Sequence, residues 1–211
     1  EDIDFDSLPD KFVVKCTHDC ESTIIVQDKS KMNQKKIVDF LNKHLSVRYG
    51  YASCEPHYIP IKPRVMAESL IEMDNTDEFS SKTTVDHKIR CIDGKAQYDM
   101  VCYDRPLGIG GGGTHTVYDL YDIHSWEPMR QYLDYPGTVY KDVPRPENLE
   151  KMIEIAEMIA QGFLQVRVDL YNVKGKIYFG EMTFFACSGM YHWFTPEFQR
   201  MIGDRIHLPE V

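Results

Sequence analysis

Apolar positions recur along this chain in two periods, and the switch between them marks its elements. Phe12-Val13-Val14-Lys15-Cys16 and Thr23-Ile24-Ile25-Val26 are β-branched runs on either side of a polar stretch, His18 to Ser22, and predict two neighbouring strands. From Asn33 the pattern changes: Ile37, Phe40, Leu41, His44 and Leu45 fall at helical spacing, and the helix ends before the tyrosine- and proline-rich stretch 49–63. Strand-like runs return at 65–71, 85–92 and 96–103, with Asp93-Gly94 as a hairpin turn between the last two. After Pro144 and Pro146, one helix face carries Leu149, Met152, Ile153, Ala156, Ile159 and Ala160, and Gly162 is placed to stop the helix in the left-handed region.

The segment 164–183 is the most informative. Val166, Val168 and Leu170 alternate with Gln165, Arg167 and Asp169, and a second run, Lys176 to Thr183, follows a short turn. With a three-residue loop, Val173-Lys174-Gly175, Asn172 pairs with Lys176. That register sets Arg167 opposite Glu181, leaves Asp169 diagonal to Glu181, and puts Thr183 on the same face, with Met182 and Phe184 on the apolar side. Two carboxylates close together beside an arginine need a neutralising cation, and oxygen-only ligation suits Mg²⁺ completed by phosphates. The plainer alternative is a solvated salt-bridge face of an ordinary hairpin.

Composition narrows the class. In 211 residues, 43% are hydrophobic and 27% charged, which excludes a disordered or low-complexity chain. The net charge of −9 disfavours nucleic acid and anionic membrane as partners, so an anionic ligand has to be gathered locally by placed Lys, Arg or metal. No apolar run approaches the length of a membrane helix. Six scattered cysteines do not form a dense disulfide framework, and reduced thiols in a cytoplasm are expected. Cys16-Thr17-His18-Asp19-Cys20 has metal-ligand chemistry, but no second Cys/His pair lies at finger spacing, so idle or buried thiols are expected there.

Other patterns weigh less. Gly108-Ile109-Gly110-Gly111-Gly112-Gly113 satisfies G-x-G-x-x-G literally, but Pro106 precedes it and the residues from Thr114 to Tyr118 read as strand, so a loop is expected rather than a dinucleotide fold. His115 is expected at the surface. The aromatic group Phe184, Phe185, Tyr191, Trp193 and Phe194 suits sugar rings but is first expected to fill core, as is His192. No nucleophile elbow, zinc-protease helix or Walker lysine is present.

The string Val166-Arg167-Val168-Asp169, then Tyr178-Phe179-Gly180-Glu181-Met182-Thr183 and Ser188-Gly189, resembles the metal-binding end of ATP-grasp enzymes, which usually have Asn where Thr183 stands. With Leu8-Pro9-Asp10-Lys11 through His18, Ile61 to Glu68, Asp86-His87-Lys88 and Asp93-Gly94-Lys95, it is most similar to the teichuronopeptide-biosynthesis (TupA-like) branch, over roughly residues 8–203. The resemblance implies an α+β, ATP-grasp fold: an N-terminal subdomain over 1–70 and a C-terminal one over 71–211, antiparallel sheets clamping ATP. It implies a carboxylate–amine ligase that makes an amide through an acyl phosphate in polysaccharide assembly, with a uronic or amino acid and an amine as substrates. By position, Lys15 resembles the lysine that reaches the α-phosphate and adenine, and Glu68, Ser69 and Leu70 the adenine hinge. Lys88 resembles the γ-phosphate cation, Arg167 the oxyanion-stabilising arginine, and Arg105 a second arginine. Asp169, Glu181 and Thr183 resemble the Mg²⁺ ligands.

Two departures stand out. Where the family tends to have a glycine-rich phosphate loop, this chain has His18-Asp19-Cys20-Glu21-Ser22, and family members usually carry a further segment before Leu8-Pro9-Asp10-Lys11. The chain is therefore expected to lack an N-terminal segment, supplied by the same polypeptide or a partner subunit. A nucleotide-binding or inert partner domain is the alternative to an active ligase.

Overall fold

A computed structural model describes residues 3–71, 75–76, 78–107, 109, 116–134 and 138–208. The chain divides into two compact units, Glu1–Glu72 with Arg105–Thr116, and Met73–Asp104 with Val117–Val211. The glycine run around 110–113 and His115 lie outside the described residues.

The first unit is a three-stranded antiparallel sheet in the order β2-β1-β3, formed by β1 (Phe12–Cys16), β2 (Ile24–Val26) and β3 (Val65–Ser69). Alternation puts Phe12, Val14, Cys16, Ile24 and Val26 on the buried face and Val13, Lys15 and Ile25 on the half-exposed one. Helix α1 (Gln34–Leu45) covers the buried face with Ile37 and Leu41. Its first turn is closed by Asn33, whose side chain accepts from the Lys36 amide. Within 49–63 the chain forms a short helix, α2 (Tyr49–Ala52), and a 3-10 turn at Pro56–Tyr58.

The second unit is a five-stranded antiparallel sheet in the order β6-β5-β4-β7-β8. The strands are β4 (Asp86–Ile92), β5 (Lys95–Tyr103), β6 (Val117–Asp122), β7 (Gln165–Val173) and β8 (Lys176–Thr183). Asp93 and Gly94, both at positive φ, make the two-residue β4–β5 turn. Helix α3 (Leu149–Ile159) packs Leu149, Met152 and Ala156 against Ile89, Cys91, Val166, Val168 and Leu170, and Gly162 takes φ 82° beyond its end. Each Leu, Ile, Val or Met side chain so removed from water contributes about 1.5–3 kcal/mol. On the opposite face, Tyr98, Met100 and Leu120 are covered by Phe194 and by Phe198 of α4 (Pro196–Gly203). Sequence periodicity did not single out α4, although Thr195 as cap and Pro196 at the first turn are its start signal.

The β7–β8 hairpin corrects the expected register. The loop holds two residues, Lys174 and Gly175, both at positive φ, and Val173 pairs with Lys176. Carried along unbroken, that pairing would set Asp169 opposite Gly180 and turn Glu181 to the apolar face. A bulge intervenes between Leu170↔Phe179 and Asp169↔Glu181. Asp169 therefore stands directly opposite Glu181, and Arg167 opposite Thr183, rather than Arg167 opposite Glu181. Gly180 is the extra residue, and a Cβ there would lie 3.0 Å from the Asp169 carbonyl oxygen and 3.1 Å from the Tyr171 ring.

Candidate functional site in the five-stranded sheet

Period two sorts β4 into an apolar series, Ile89 and Cys91, facing α3, and a charged series, Asp86, Lys88 and Arg90, facing the other way. The register places Lys88 beside Asp169 and Arg90 beside Arg167 on β7, and β8 adds Glu181 and Thr183. Five of the expected site residues, Lys88, Arg167, Asp169, Glu181 and Thr183, thus share one face of three adjoining strands.

The charges are paired closely. Lys88 Nζ lies 2.5 Å from Asp169 Oδ2 and 2.7 Å from Asp86 Oδ2. Arg167 grips Asp169 with two donors, Nε to Oδ1 at 2.6 Å and an Nη to Oδ2 at 2.8 Å, and reaches Glu181 Oε1 at 3.1 Å. Thr183 Oγ1 donates to the same Glu181 oxygen at 3.2 Å. Asp169 and Lys88 are 2% and 6% exposed, whereas the Glu181 side chain is about half exposed, at 49%. This is neither the solvated face of an ordinary hairpin nor a carboxylate pair awaiting its first cation: Arg167 and Lys88 already neutralise Asp169. Burial by itself would raise the Asp169 carboxyl; Lys88 and Arg167 outweigh it and hold the group below the usual carboxylate range. Burial likewise disfavours the Arg167 charge, and Asp169 reverses that and raises its pKa.

Asp86 and Arg90 were not anticipated as members of this face, though their spacing of two from Lys88 is the signal that finds them. Arg90 is 4% exposed; it donates to Gln165 Oε1 at 3.3 Å and to the Tyr191 hydroxyl, and its guanidinium lies 5.3 Å from the Tyr191 ring centroid. It lines a recess of about 240 Å³ together with Tyr98, Phe184, Phe185, Tyr191 and Phe194. The aromatic group is therefore divided in role: Phe194 is core, while Phe184 and Phe185 are exposed at 38% and 41%. On the α3 side of β4, His87 Nδ1 is hydrogen-bonded to Asp99 Oδ2 at 2.7 Å in full burial, which anchors β4 to β5.

The remaining expected residues belong to the first unit. Lys15 on β1 and Glu68 on the edge strand β3 pair at 2.8 Å on the half-exposed sheet face, beside Val13 and Met66. Ser69 ends β3, and the Leu70 amide donates to the Lys11 carbonyl at 3.3 Å. Arg105 follows β5 in the segment assigned to the first unit.

The donor chemistry of Asp169, Glu181 and Thr183 is all oxygen, which suits Mg²⁺ and not a soft transition metal. Among curated proteins none matches this chain. Among solved structures it is similar to D-alanine–D-alanine ligase from Bacillus anthracis, at 17% identity over 98% of this chain and 55% of that one, with a TM-score of 0.46. It is also similar to the ligase of the same name from Helicobacter pylori, at 13% identity over 96% of this chain and 50% of that one, with a TM-score of 0.45. The chain spans about half the length of these two ligases. The TupA-like ATPgrasp family model matches residues 1–207, nearly the whole chain, and carries the α+β arrangement of two antiparallel sheets with it: this protein belongs to the TupA-like ATP-grasp family.

Proposed function

We propose that this chain is the catalytic part of an ATP- and Mg²⁺-dependent carboxylate–amine ligase that builds an amide during assembly of a cell-surface polysaccharide, a capsule or teichuronopeptide-like polymer. The observation that carries the reading is Asp169 opposite Glu181 on a charged face shared with Lys88 and Arg167. A carboxylate oxygen of a uronic or amino acid attacks the γ-phosphorus of ATP and ADP departs. The amine then attacks the acyl carbon, the carbon–oxygen bond to phosphate breaks, phosphate leaves, and the amine's proton passes to solvent.

Each residue has a role in that sequence. Asp169 and Glu181, with Thr183, would hold Mg²⁺, which when bound neutralises phosphate oxygens. Lys88 exchanges a carboxylate partner for the γ-phosphate, a transfer between anions that keeps its ammonium paired. Arg167 supports negative charge on the tetrahedral intermediate, and Arg105 serves as a second arginine at the transferred phosphate or the acceptor's carboxylate. In the first unit Lys15 meets the α-phosphate and adenine, and the edge backbone of Glu68, Ser69 and Leu70 reads the purine. A cytoplasmic setting belongs to the same proposal and agrees with six cysteines, none in a disulfide. Among the described residues no helix is long and apolar enough to cross a membrane.

One observation favours the alternative, a partner domain without turnover. The backbone amides of Glu21 and Ser22, where a phosphate loop would offer its N–H groups, both donate to Asp19 Oδ1, at 3.3 and 3.0 Å. Calorimetric titration of ATP and ADP with and without Mg²⁺ separates the two. The ligase reading expects nucleotide binding tightened by Mg²⁺, with the Mg²⁺ effect abolished in Glu181→Gln. A folded protein that binds neither nucleotide sinks it and leaves the partner domain.

A further inference from the structure

We propose that Cys16, His18 and Asp19 form a Zn²⁺ site that pins the β1–β2 loop to α1. One ligand atom from each, the Cys16 sulfur, a His18 ring nitrogen and an Asp19 carboxylate oxygen, lies within 4.8 Å of the others. Their side chains are withdrawn from solvent: Cys16 is 2% and His18 3% exposed, and the side chain of the half-buried Asp19 1%. Zinc bonds of about 2.0–2.3 Å place tetrahedral donors about 3.3–3.8 Å apart, so the set needs to contract by about 1 Å on binding.

His18 supplies the second, independent observation. Its Nε2 lies 3.2 Å from the Val47 carbonyl oxygen, and because a carbonyl only accepts, the hydrogen sits on Nε2. That tautomer leaves Nδ1 as a bare lone pair, and Nδ1 is buried with no hydrogen-bond partner among the described residues. An unpartnered buried lone pair is costly, and a metal ion removes that cost. A ligating imidazole typically donates its other N–H to a carbonyl, the arrangement found here.

Asp19 is held in the same manner. Oδ1 accepts from the Ser22 hydroxyl at 2.5 Å and from the Glu21 and Ser22 amides, and Oδ2 meets His44 Nδ1 at 3.0 Å, so the carboxylate is fixed from two sides and Oδ2 retains a lone pair for a cation. Sulfur, imidazole and carboxylate together select Zn²⁺ over the hard Mg²⁺. Cys20, in the same loop, is exposed, and its sulfur lies 2.9 Å from the Tyr49 hydroxyl, so it is not the ligand the C-x₃-C spacing suggests. The ion staples a loop that has no glycine, and His18, Asp19, His44 and Val47 become one rigid corner.

The test uses the chain as it stands, stripped with chelator and titrated with Zn²⁺ or Co²⁺ and no nucleotide, so its outcome is independent of the ligase reading. We expect one ion per chain, a raised melting temperature, and a thiolate-to-Co²⁺ charge-transfer band. The band should vanish in Cys16→Ser and persist in Cys20→Ser. His18→Gln should lose tight binding, and His44→Phe, which removes only the carboxylate's support, should weaken Zn²⁺ about 10–100-fold. Absence of binding by the folded wild-type chain overturns the proposal, as does a band that survives Cys16→Ser and disappears in Cys20→Ser. If Cys16→Ser or His18→Gln fails to fold, the wild-type band and its response to Cys20→Ser decide by themselves.

Discussion

Gly180 approaches the backbone of Asp169 so closely that a Cβ at 180 would sit 3.0 Å from the Asp169 carbonyl oxygen. This contact lies at the bulge that returns Glu181 to the Asp169 face. Gly180→Ala forces a backbone atom, not a flexible side chain, to give way, and we expect a loss of about 1–2 kcal/mol, with a lower urea midpoint and an unchanged slope. Mg²⁺-dependent nucleotide binding should weaken with it. A variant as stable as the parent would show that the bulge does not need glycine.

Asp169 and Glu181 face one another but differ in burial, and their conservative variants should separate accordingly. Asp169→Asn leaves Lys88 and Arg167 in a buried site with their shared counter-charge removed, and should cost about 3–5 kcal/mol. Glu181→Gln touches a half-exposed pair and should cost under about 1 kcal/mol. Urea unfolding of the two variants measures the contrast; equal losses would mean that the pairing of Asp169 contributes no more than a surface ion pair.

The same pairing sets an acid limit. Lys88 and Arg167 hold Asp169 below its unfolded value of about 3.9, so its stabilisation is present above that pH and is lost as pH falls through the lower, folded pKa. Asp104, lowered by the Lys141 ammonium and the Lys82 amide against its burial, acts in the same direction. Stability should fall from about pH 4 downward, and less steeply in Asp169→Asn. A profile that is flat over this range would contradict the assignment.

The two faces of α3 should respond differently to truncation. Leu149→Ala or Met152→Ala opens a cavity under fully buried side chains and should cost about 2–5 kcal/mol, whereas Met158→Ala, at a position 67% exposed, should stay within about 0.5 kcal/mol. Thermal or denaturant unfolding distinguishes them.

Thiol reactivity provides a check that needs no substrate. Cys20, Cys54 and Cys187 are exposed, while Cys16, Cys91 and Cys102 are buried. Burial, aided by Glu157 and opposed by Arg90, pushes Cys91 up to about 12, so it stays a thiol at mildly alkaline pH. An aromatic disulfide reagent should therefore titrate three thiols in the native protein and six after denaturation. Rapid modification of Cys91 in the folded state would mean that β4 opens readily.

Much of the molecule was legible in its sequence, because strands and helices are local and period two or 3.6 survives any tertiary arrangement. The β1 and β5 strands, α1 following Asn33, α3 with Gly162 beyond it, and the Asp93-Gly94 turn follow from patterning, and the residues on the charged face of β7 follow from alternation. The register of β7 against β8 did not follow. It depends on a two-residue loop and on one bulge residue, and a one-residue slip moves every later side chain to the other face.

Asp86 and Arg90 were hidden for a related reason: a strand carrying three charges reads as exposed until its neighbours on both sides are known, and only the β5-β4-β7 order makes β4 central and buries Asp86 against Lys88 and Arg90 against Gln165 and Tyr191. The sequence determined which residues could bear a carboxylate, an ammonium or a guanidinium, and which of them share a face wherever a strand runs without a bulge. The tertiary structure alone decided which of them meet, since strand order and register join residues 81 positions apart, as Lys88 and Asp169 are, and local periodicity carries no information across that distance.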